Sequence, residues 1–227
     1  MTTINNSCTW LHFPSRSIAK PKLHATDADR KEIYSSGEGI LDMDVTLICT
    51  AAFQTKEDET RALRRAAGLE KMPKRDPKTP LSELDKNDER HPQNGGEVVI
   101  CDGCKERERK RYDRKKKKSP EDERFIKYEN DRVIMINEKE YKKFQPIART
   151  ERHYSPNALS IDFALRIACY CRHQEDKSPQ GFRIIFTFRD SSTHEVLGQN
   201  ISNVIHITDD HKNKDLVICP NRPVTLP

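Results

Sequence analysis

The residues best suited to chemistry form one cationic block, KERERKRYDRKKKK, at residues 105–118, where ten of fourteen residues are Lys or Arg and three are acidic. Gly103 precedes the block and Ser119 and Pro120 follow it, so the sequence predicts a basic helix at residues 104–118. Such a helix carries Arg107, Lys110, Arg111, Arg114 and Lys118 on one face. Their mutual repulsion is relieved by a phosphate backbone, which releases counterions on binding. The block therefore favours a polyanion as the partner, and we expect that polyanion to be double-stranded DNA.

Two interpretations of this block stay open. The lysine run from Lys115 to Lys118 is as typical of a nuclear-import signal, or of a solvated surface that binds acidic proteins, as of a DNA contact. Contact with DNA is favoured for Arg107, Arg109, Lys110 and Arg111. The planar guanidinium suits bidentate recognition of guanine or phosphate, and these residues would directly follow a predicted strand.

Two smaller polar groups are further candidates for DNA binding. Arg61, Arg64 and Arg65 have helical i, i+3, i+4 spacing and could grip phosphates, although an ion-paired surface explains them as well. Arg172, His173 and Gln174 follow a predicted strand at a loop, where their side chains could hydrogen-bond to bases or phosphates. A structural turn is an equally good account of this loop.

The cysteines leave a zinc site as an alternative to ordinary thiols. Cys101 and Cys104 form a CxxC pair, and Cys169, Cys171 and His173 could supply further zinc ligands, with Cys101, Cys104, Cys171 and His173 as the candidate set. In a strand, Cys169 and Cys171 point the same way, toward the core, where cysteine behaves as a small hydrophobe. We therefore predict no metal. A redox CxxC pair is disfavoured because no βαβ pattern surrounds it.

Composition limits the class of protein. The 227 residues carry a formal charge of +5, and hydrophobic and charged residues each make up 34%, so we expect part of the chain to lie outside the packed core. Seven cysteines and the lack of an apolar leader argue against secretion, and no apolar run approaches the ~20 residues of a membrane span, so we expect no membrane contact by this segment. No phosphate loop, GxSxG or HExxH motif occurs, which predicts no enzyme and no cofactor.

Short apolar runs predict the elements that position these groups. We expect strands at residues 44–49, 97–101, 132–136, 165–172, 182–188, 201–208 and 216–219. One strand face should carry Phe182, Ile184, Phe186 and Phe188, and another Ile201, Asn203, Ile205 and Ile207. The sequence thus predicts one mainly β domain over residues 1–227, a sandwich with a helical and flexible insertion at 54–96. A helix in that insertion should begin at Thr55 and end at Gly68.

The motifs NGGEVVICDGCKERERKRYDRKKKK, LRIACYCRHQ and ITDDHK resemble those of the Spt/Mga family, the fungal membrane-tethered activators of fatty-acid desaturase genes. This resemblance implies a Rel/p53-like immunoglobulin β-sandwich that binds promoter DNA sequence-specifically in the nucleus. It also implies a longer precursor in the endoplasmic reticulum membrane, with a TIG domain, ankyrin repeats and a membrane anchor, and partners that include other transcription factors or a second copy. A protein-interaction module with a basic import signal is the alternative. RNA binding is disfavoured by an aromatic content of only 7%.

Overall fold

The structure is a computed structural model that describes residues 8–76, 79–113, 127–147, 158–169 and 181–206. Its helices are α1 (Asp27–Ser35), α2 (Lys56–Ala66) and α3 (Asp102–Asp113). Its strands are β1 (Cys8–His12), β2 (Gly39–Cys49), β3 (Ile134–Ile136), β4 (Tyr141–Lys143), β5 (Gln145–Pro146), β6 (Leu159–Ser160), β7 (Leu165–Ile167), β8 (Phe182–Asp190) and β9 (Val196–Ile201). This content confirms the prediction of a β-rich fold. None of the helices in the described ranges combines the length and the apolar surface that a membrane crossing requires.

Five strands form one sheet in the order β4-β1-β2-β8-β9. Strand β2 is central and pairs antiparallel with β8, from Leu41 opposite Asp190 to Cys49 opposite Phe182. Strand β1 pairs with β2 in parallel. A tight turn cannot join parallel neighbours, and the connection between them contains α1.

Strands β3 and β7 form a second sheet that covers one face of the first. Side chains alternate between the two faces of a strand, so Met43 and Leu47 of β2 point to the same side. They are buried in two adjoining apolar clusters, together with Ile184 of β8 and with Ile134 and Ile136 of β3. The core therefore lies between the two sheets.

Strand β8 confirms its predicted period-two face. The inward side chains Phe182, Ile184, Phe186 and Phe188 all pack into the clusters between the sheets. The prediction that Ile201 and Ile205 share a face was wrong. Ile201 packs with Ile185 on the outer side of the sheet, whereas Ile205 packs with Phe182 on the inner side, because β9 ends at Ile201.

Helix α2 covers the outer face of the five-stranded sheet, where Ala62 packs against Ile185. Its first turn is closed by a capping box: the Thr55 hydroxyl accepts the Asp58 N–H at 3.1 Å, and the Asp58 carboxylate accepts the Thr55 N–H at 3.2 Å. Gly68 follows with φ of 71°, the left-handed conformation that glycine adopts readily. The predicted start at Thr55 and end near Gly68 are confirmed.

The predicted strand at residues 97–101 is absent from the described sheets. Val98 and Ile100 are buried, as the pattern indicated, but they pack into different clusters. Val98 joins the clusters between the sheets, and Ile100 lies beside α3. The apolar run is therefore a buried segment that leads into α3 and does not pair with a neighbouring strand.

The insertion at residues 54–96 contains more regular structure than the sequence predicted. Beyond α2 it includes short 3₁₀ helices at Leu81–Glu83 and Pro92–Asn94. Arg75 and His91 are buried, with 7% and 4% of their surface exposed, and the Arg75 guanidinium donates to the Thr79 carbonyl at 2.7 Å. The segment is therefore packed at Arg75 and at His91, whereas many of the described residues between them are exposed.

A buried polar network joins β1, α1 and the start of β4. Glu140 accepts the Ala25 N–H at 2.7 Å and the Arg30 guanidinium at 3.0 Å, and it lies 3.5 Å from His12 Nε2, whose Nδ1 is 2.7 Å from Asp42. Burial alone would lower the pKa of His12, but its hydrogen bonds with Asp42 and Glu140 raise it to about 9. Burial also opposes ionisation of Glu140, yet its donors hold its pKa far below the ordinary value. The network thus ties β1, β2 and α1 to the segment that precedes β4.

Candidate nucleic-acid interface

Helix α3 places the predicted cationic block on a regular element. It begins at Asp102, two residues before the predicted start, and the Lys105 N–H donates to the Cys101 carbonyl at 2.9 Å. Asp102 in the first turn and Lys110 and Arg111 in the last turn complement the helix dipole. The helix is described as far as Asp113. The predicted contacts Arg114, Lys115 and Lys118 lie outside the described residues.

An ion-paired cluster fixes α3 to the two-stranded sheet. Glu108 is buried and accepts two hydrogen bonds from Arg166 of β7, at 2.9 and 2.5 Å, and one from Arg111 at 2.9 Å. Burial would raise the pKa of Glu108, but pairing with Arg166 and Arg111 holds it below the ordinary value. The orientation of α3 on the sheet is therefore set by a charged contact as well as by apolar packing.

Three basic side chains of α3 extend outward. Arg109, Lys110 and Arg111 are 60%, 70% and 49% exposed. Each has an acidic neighbour: Arg109 donates to Glu129 through Nε at 2.6 Å, Lys110 lies 2.8 Å from Glu106, and Arg111 shares Glu108 with Arg166. Five basic and four acidic residues lie between Asp102 and Asp113, so the described part of the helix is only weakly cationic.

Arg107 is oriented differently from its predicted partners on the helix face. Its Nη2 lies 2.8 Å from Cys104 Sγ and 3.5 Å from the Ala168 carbonyl. The guanidinium is thus turned toward the sheet, where it helps to anchor α3. Helical spacing alone placed it with Lys110 and Arg111, because spacing does not account for the flexible reach of an arginine side chain.

The arginines of α2 are engaged within the domain. Arg61 lies 3.4 Å from Asp58, and Arg64 lies 3.8 Å from Glu70. Arg65 is only 11% exposed and donates to Glu70 at 3.0 Å and to the Gly95 carbonyl at 3.1 Å. Arg65 therefore has a structural role in holding the insertion, whereas Arg61 and Arg64 remain about half exposed.

Helices α2 and α3 lie on opposite sides of the molecule. On β3, Met135 points away from Ile134 and Ile136 and packs with Cys104 of α3. Helix α3 thus covers the outer face of the two-stranded sheet, whereas α2 covers the outer face of the five-stranded sheet. Stacked sheets are about 10 Å apart. Consequently the arginines of α2 and α3 do not form one continuous surface.

Two further basic residues belong to the α3 side. Arg166 is 40% exposed beside the helix, and Lys20 and Arg166 line the same shallow depression next to Met135. Sequence analysis did not single out Arg166 as a contact. Its alternation with Leu165 and Ile167 in β7 was the available signal, since an arginine between two inward apolar residues faces outward.

Three cysteines meet where α3 begins. The sulfur atoms of Cys101, Cys104 and Cys169 all lie within 4.8 Å of one another, and the described cysteines form no disulfide. Hydrogen bonds from the Cys169 thiol and from the Cys104 backbone lower the pKa of Cys101 to about 6. Cys171 and His173, the other zinc candidates, and the loop residues Arg172 and Gln174 lie outside the described residues.

The sequence profile of the SPT23/MGA2 DNA-binding domain matches residues 1–212. The chain belongs to this family. It is 30% identical over 113 residues to Protein SPT23 of Saccharomyces cerevisiae and 31% identical over 110 residues to Protein MGA2 of the same organism. These alignments cover 50% and 48% of the chain but only 10% and 9% of the two relatives. No solved structure matches the chain at a significant level.

Membership of the SPT23/MGA2 family confirms the resemblance found in the sequence. The family is a class of DNA-binding domains of transcription factors and not a class of enzymes, which agrees with the missing catalytic motifs. The match includes all of the described residues, and so includes both sheets, α2 and α3.

Proposed function

We propose that the chain binds double-stranded DNA sequence-specifically through the α3 side, as part of a transcription activator of lipid-desaturation genes. The main observation in its support is a group of exposed cations on the outer face of the sheet formed by β3 and β7. Arg109, Lys110 and Arg111 of α3 lie there together with Arg166 and Lys20. Residues 114–118, all basic, follow α3 directly in the sequence.

The ion pairs on this face are compatible with DNA contact. Exposed pairs contribute about 0–1 kcal/mol, so a phosphate can replace the acidic partner at little cost. This applies to Lys110 and Glu106, which are both largely exposed, and to Arg109, which is 60% exposed. Acidic neighbours also reduce non-specific attraction, which leaves correctly placed base contacts a larger share of the total affinity.

The finer parts of this proposal are those that the resemblance to the family implies. We infer that the two packed sheets are a Rel/p53-like immunoglobulin sandwich, that the protein acts in the nucleus, and that it is released from a precursor in the endoplasmic reticulum membrane. Other transcription factors or a second copy are the proposed protein partners. The chain spans about a tenth of the curated relatives it matches, so these properties belong to the longer protein.

Matched double substitutions test which face binds DNA. Arg109→Ala with Lys110→Ala removes two charges from the α3 side, and Arg61→Ala with Arg64→Ala removes two charges from the α2 side. If each phosphate contact contributes about 1 kcal/mol, the first pair weakens duplex binding about thirtyfold, whereas the second leaves the Kd unchanged. Binding is measured by fluorescence anisotropy on duplexes selected from a random pool.

Two results of these binding measurements would contradict the proposal. Loss of affinity in the α2 variant alone would place the duplex on the opposite face. Failure of the unmodified chain to enrich any sequence from the pool would remove sequence-specific binding and favour the protein-interaction module.

A further inference from the structure

The three clustered sulfurs come from two distant segments of the chain. Cys101 directly precedes α3 and Cys104 lies in its first turn, whereas Cys169 follows β7 by two residues. Cys104 and Cys169 are fully buried, and Cys101 is partly exposed. Convergence of three thiols within 4.8 Å therefore depends on the docking of α3 against the two-stranded sheet.

The surroundings of the sulfurs differ from an ordinary apolar core. Ile100, Met135 and Ala168 provide an apolar wall, but a guanidinium also enters the cluster. Arg107 Nη2 lies 2.8 Å from Cys104 Sγ and also contacts the Ala168 carbonyl. A neutral buried thiol has no need of a cationic donor, whereas a metal-bound thiolate is commonly oriented by such hydrogen bonds.

We propose that Cys101, Cys104 and Cys169 bind one zinc ion. Zinc–thiolate bonds are about 2.3 Å, so tetrahedral geometry separates the sulfurs by about 3.8 Å, which small side-chain rotations reach from the observed spacing. Each thiol releases its proton to solvent as it binds. Three thiolates and Zn²⁺ leave one net negative charge, which the Arg107 guanidinium offsets. Water or another donor occupies the fourth position.

Zinc fits this donor set better than other metals. Three soft thiolates disfavour Mg²⁺ and Ca²⁺, which take oxygen ligands, and iron–sulfur clusters generally use four cysteines. A CxxC pair, such as Cys101 and Cys104, is a common source of two ligands in structural zinc sites. The ion would hold the start of α3 against the end of β7. The proposal does not depend on DNA binding, since its readouts are metal content and stability.

Metal analysis of the purified, untagged chain tests the site. Chain produced with added zinc should contain one zinc per molecule by mass spectrometry, and X-ray absorption should show three sulfur ligands at about 2.3 Å. Cobalt substitution should give thiolate charge-transfer bands and the intense visible bands of a tetrahedral ion. Removal of zinc by a chelator should lower the Tm, and added zinc should restore it.

Single substitutions locate the ligands. Cys101→Ser, Cys104→Ser and Cys169→Ser should each lose most of the bound zinc, whereas Cys49→Ser, a buried cysteine of β2 in another cluster, should retain it. The cobalt spectrum of the unmodified chain keeps the test valid if a variant fails to fold. Absence of both zinc and cobalt binding in the unmodified chain, full zinc content in Cys104→Ser, or a disulfide among the three would each overturn the proposal.

Discussion

Glu108 is the residue that most directly couples the basic helix to the sheet. It is 10% exposed at its side chain and receives hydrogen bonds from Arg166 and Arg111. Glu106 on the same helix is 64% exposed and lies 2.8 Å from the exposed Lys110. Two acids of one helix thus have different roles, one structural and one superficial.

Substitution should separate these roles. Glu108→Gln removes the charge that compensates two arginines and should lower the free energy of unfolding by about 1–2 kcal/mol, since charge-assisted hydrogen bonds are worth about 1.5–3 kcal/mol and Arg166 is partly solvated. Glu106→Gln, the matched control, should change it by less than about 0.5 kcal/mol. Urea unfolding followed by circular dichroism measures both. Equal effects would show that the Glu108 cluster contributes no more than a surface pair.

His12 should make the stability of the domain depend on pH. Its pKa in the folded chain is about 9, above its ordinary value of 6.5. A histidine whose pKa is raised by folding stabilises the folded state fully below pH 6.5. This contribution to the free energy of unfolding is lost as the pH rises through about 9. The groups that face the imidazole are Asp42, Glu140 and the stacked ring of Tyr141, and the donors around Glu140 hold its pKa far below this range.

The His12→Gln variant isolates this effect. The difference in unfolding free energy between the unmodified chain and the variant should be largest near pH 6 and should shrink steadily toward pH 9.5. Urea titrations at four pH values across that interval provide the measurement. A difference that stays constant with pH would mean that the imidazole is neutral in the folded chain.

Among the elements, those with local signals were predictable. Thr55 with Asp58 and the later Gly68 identify both ends of α2, because capping depends on residues close in sequence. Residues 97–101 show the converse. Their short apolar run resembles a strand, but Val98 and Ile100 are buried by clusters built from distant parts of the chain. Local pattern cannot distinguish these two causes of burial.

The two capping boxes offer a matched test of what each helix contributes. Thr55→Ala should lower the free energy of unfolding by about 1 kcal/mol, because α2 buries Ala62 against the sheet. Thr26→Ala removes the same kind of cap from α1, which has no buried residue, and should have a smaller global effect. Its main result should be faster amide exchange in the first turn of α1. If both variants lose equal stability, α1 is as integral to the fold as α2.

For the whole molecule, the sequence predicted the cationic block but not its distribution in space. The positions of α2 and α3 on opposite sides follow from the stacking of the two sheets, which brings together residues as distant as Met43 and Ile136. The same stacking delivers Cys169 to the start of α3. Sequence analysis placed Cys169 in the core. Strand alternation predicts which way a side chain points, but it does not predict which residues lie beside it.

Salt should report the number of phosphates that the molecule contacts. The logarithm of the binding constant falls by about 0.9 per contact for each tenfold rise in salt, so six contacts weaken binding about a thousandfold between about 50 and 200 mM. The Arg109→Ala and Lys110→Ala double variant should reduce the slope by about two. A flat salt response of the unmodified chain would exclude a phosphate-based interface.

The pairing of β2 with β8 has a consequence for biosynthesis. The partners are more than 130 residues apart, from Cys49 opposite Phe182 outward. At a translation rate of about 5–20 residues per second, the nascent β2 waits on the order of ten seconds for its partner. During that interval an eleven-residue strand with one apolar face has an unpaired hydrogen-bonding edge, which is a typical target for chaperones and for aggregation. The ribosome must therefore synthesise most of the domain before the central strand β2 can pair with β8.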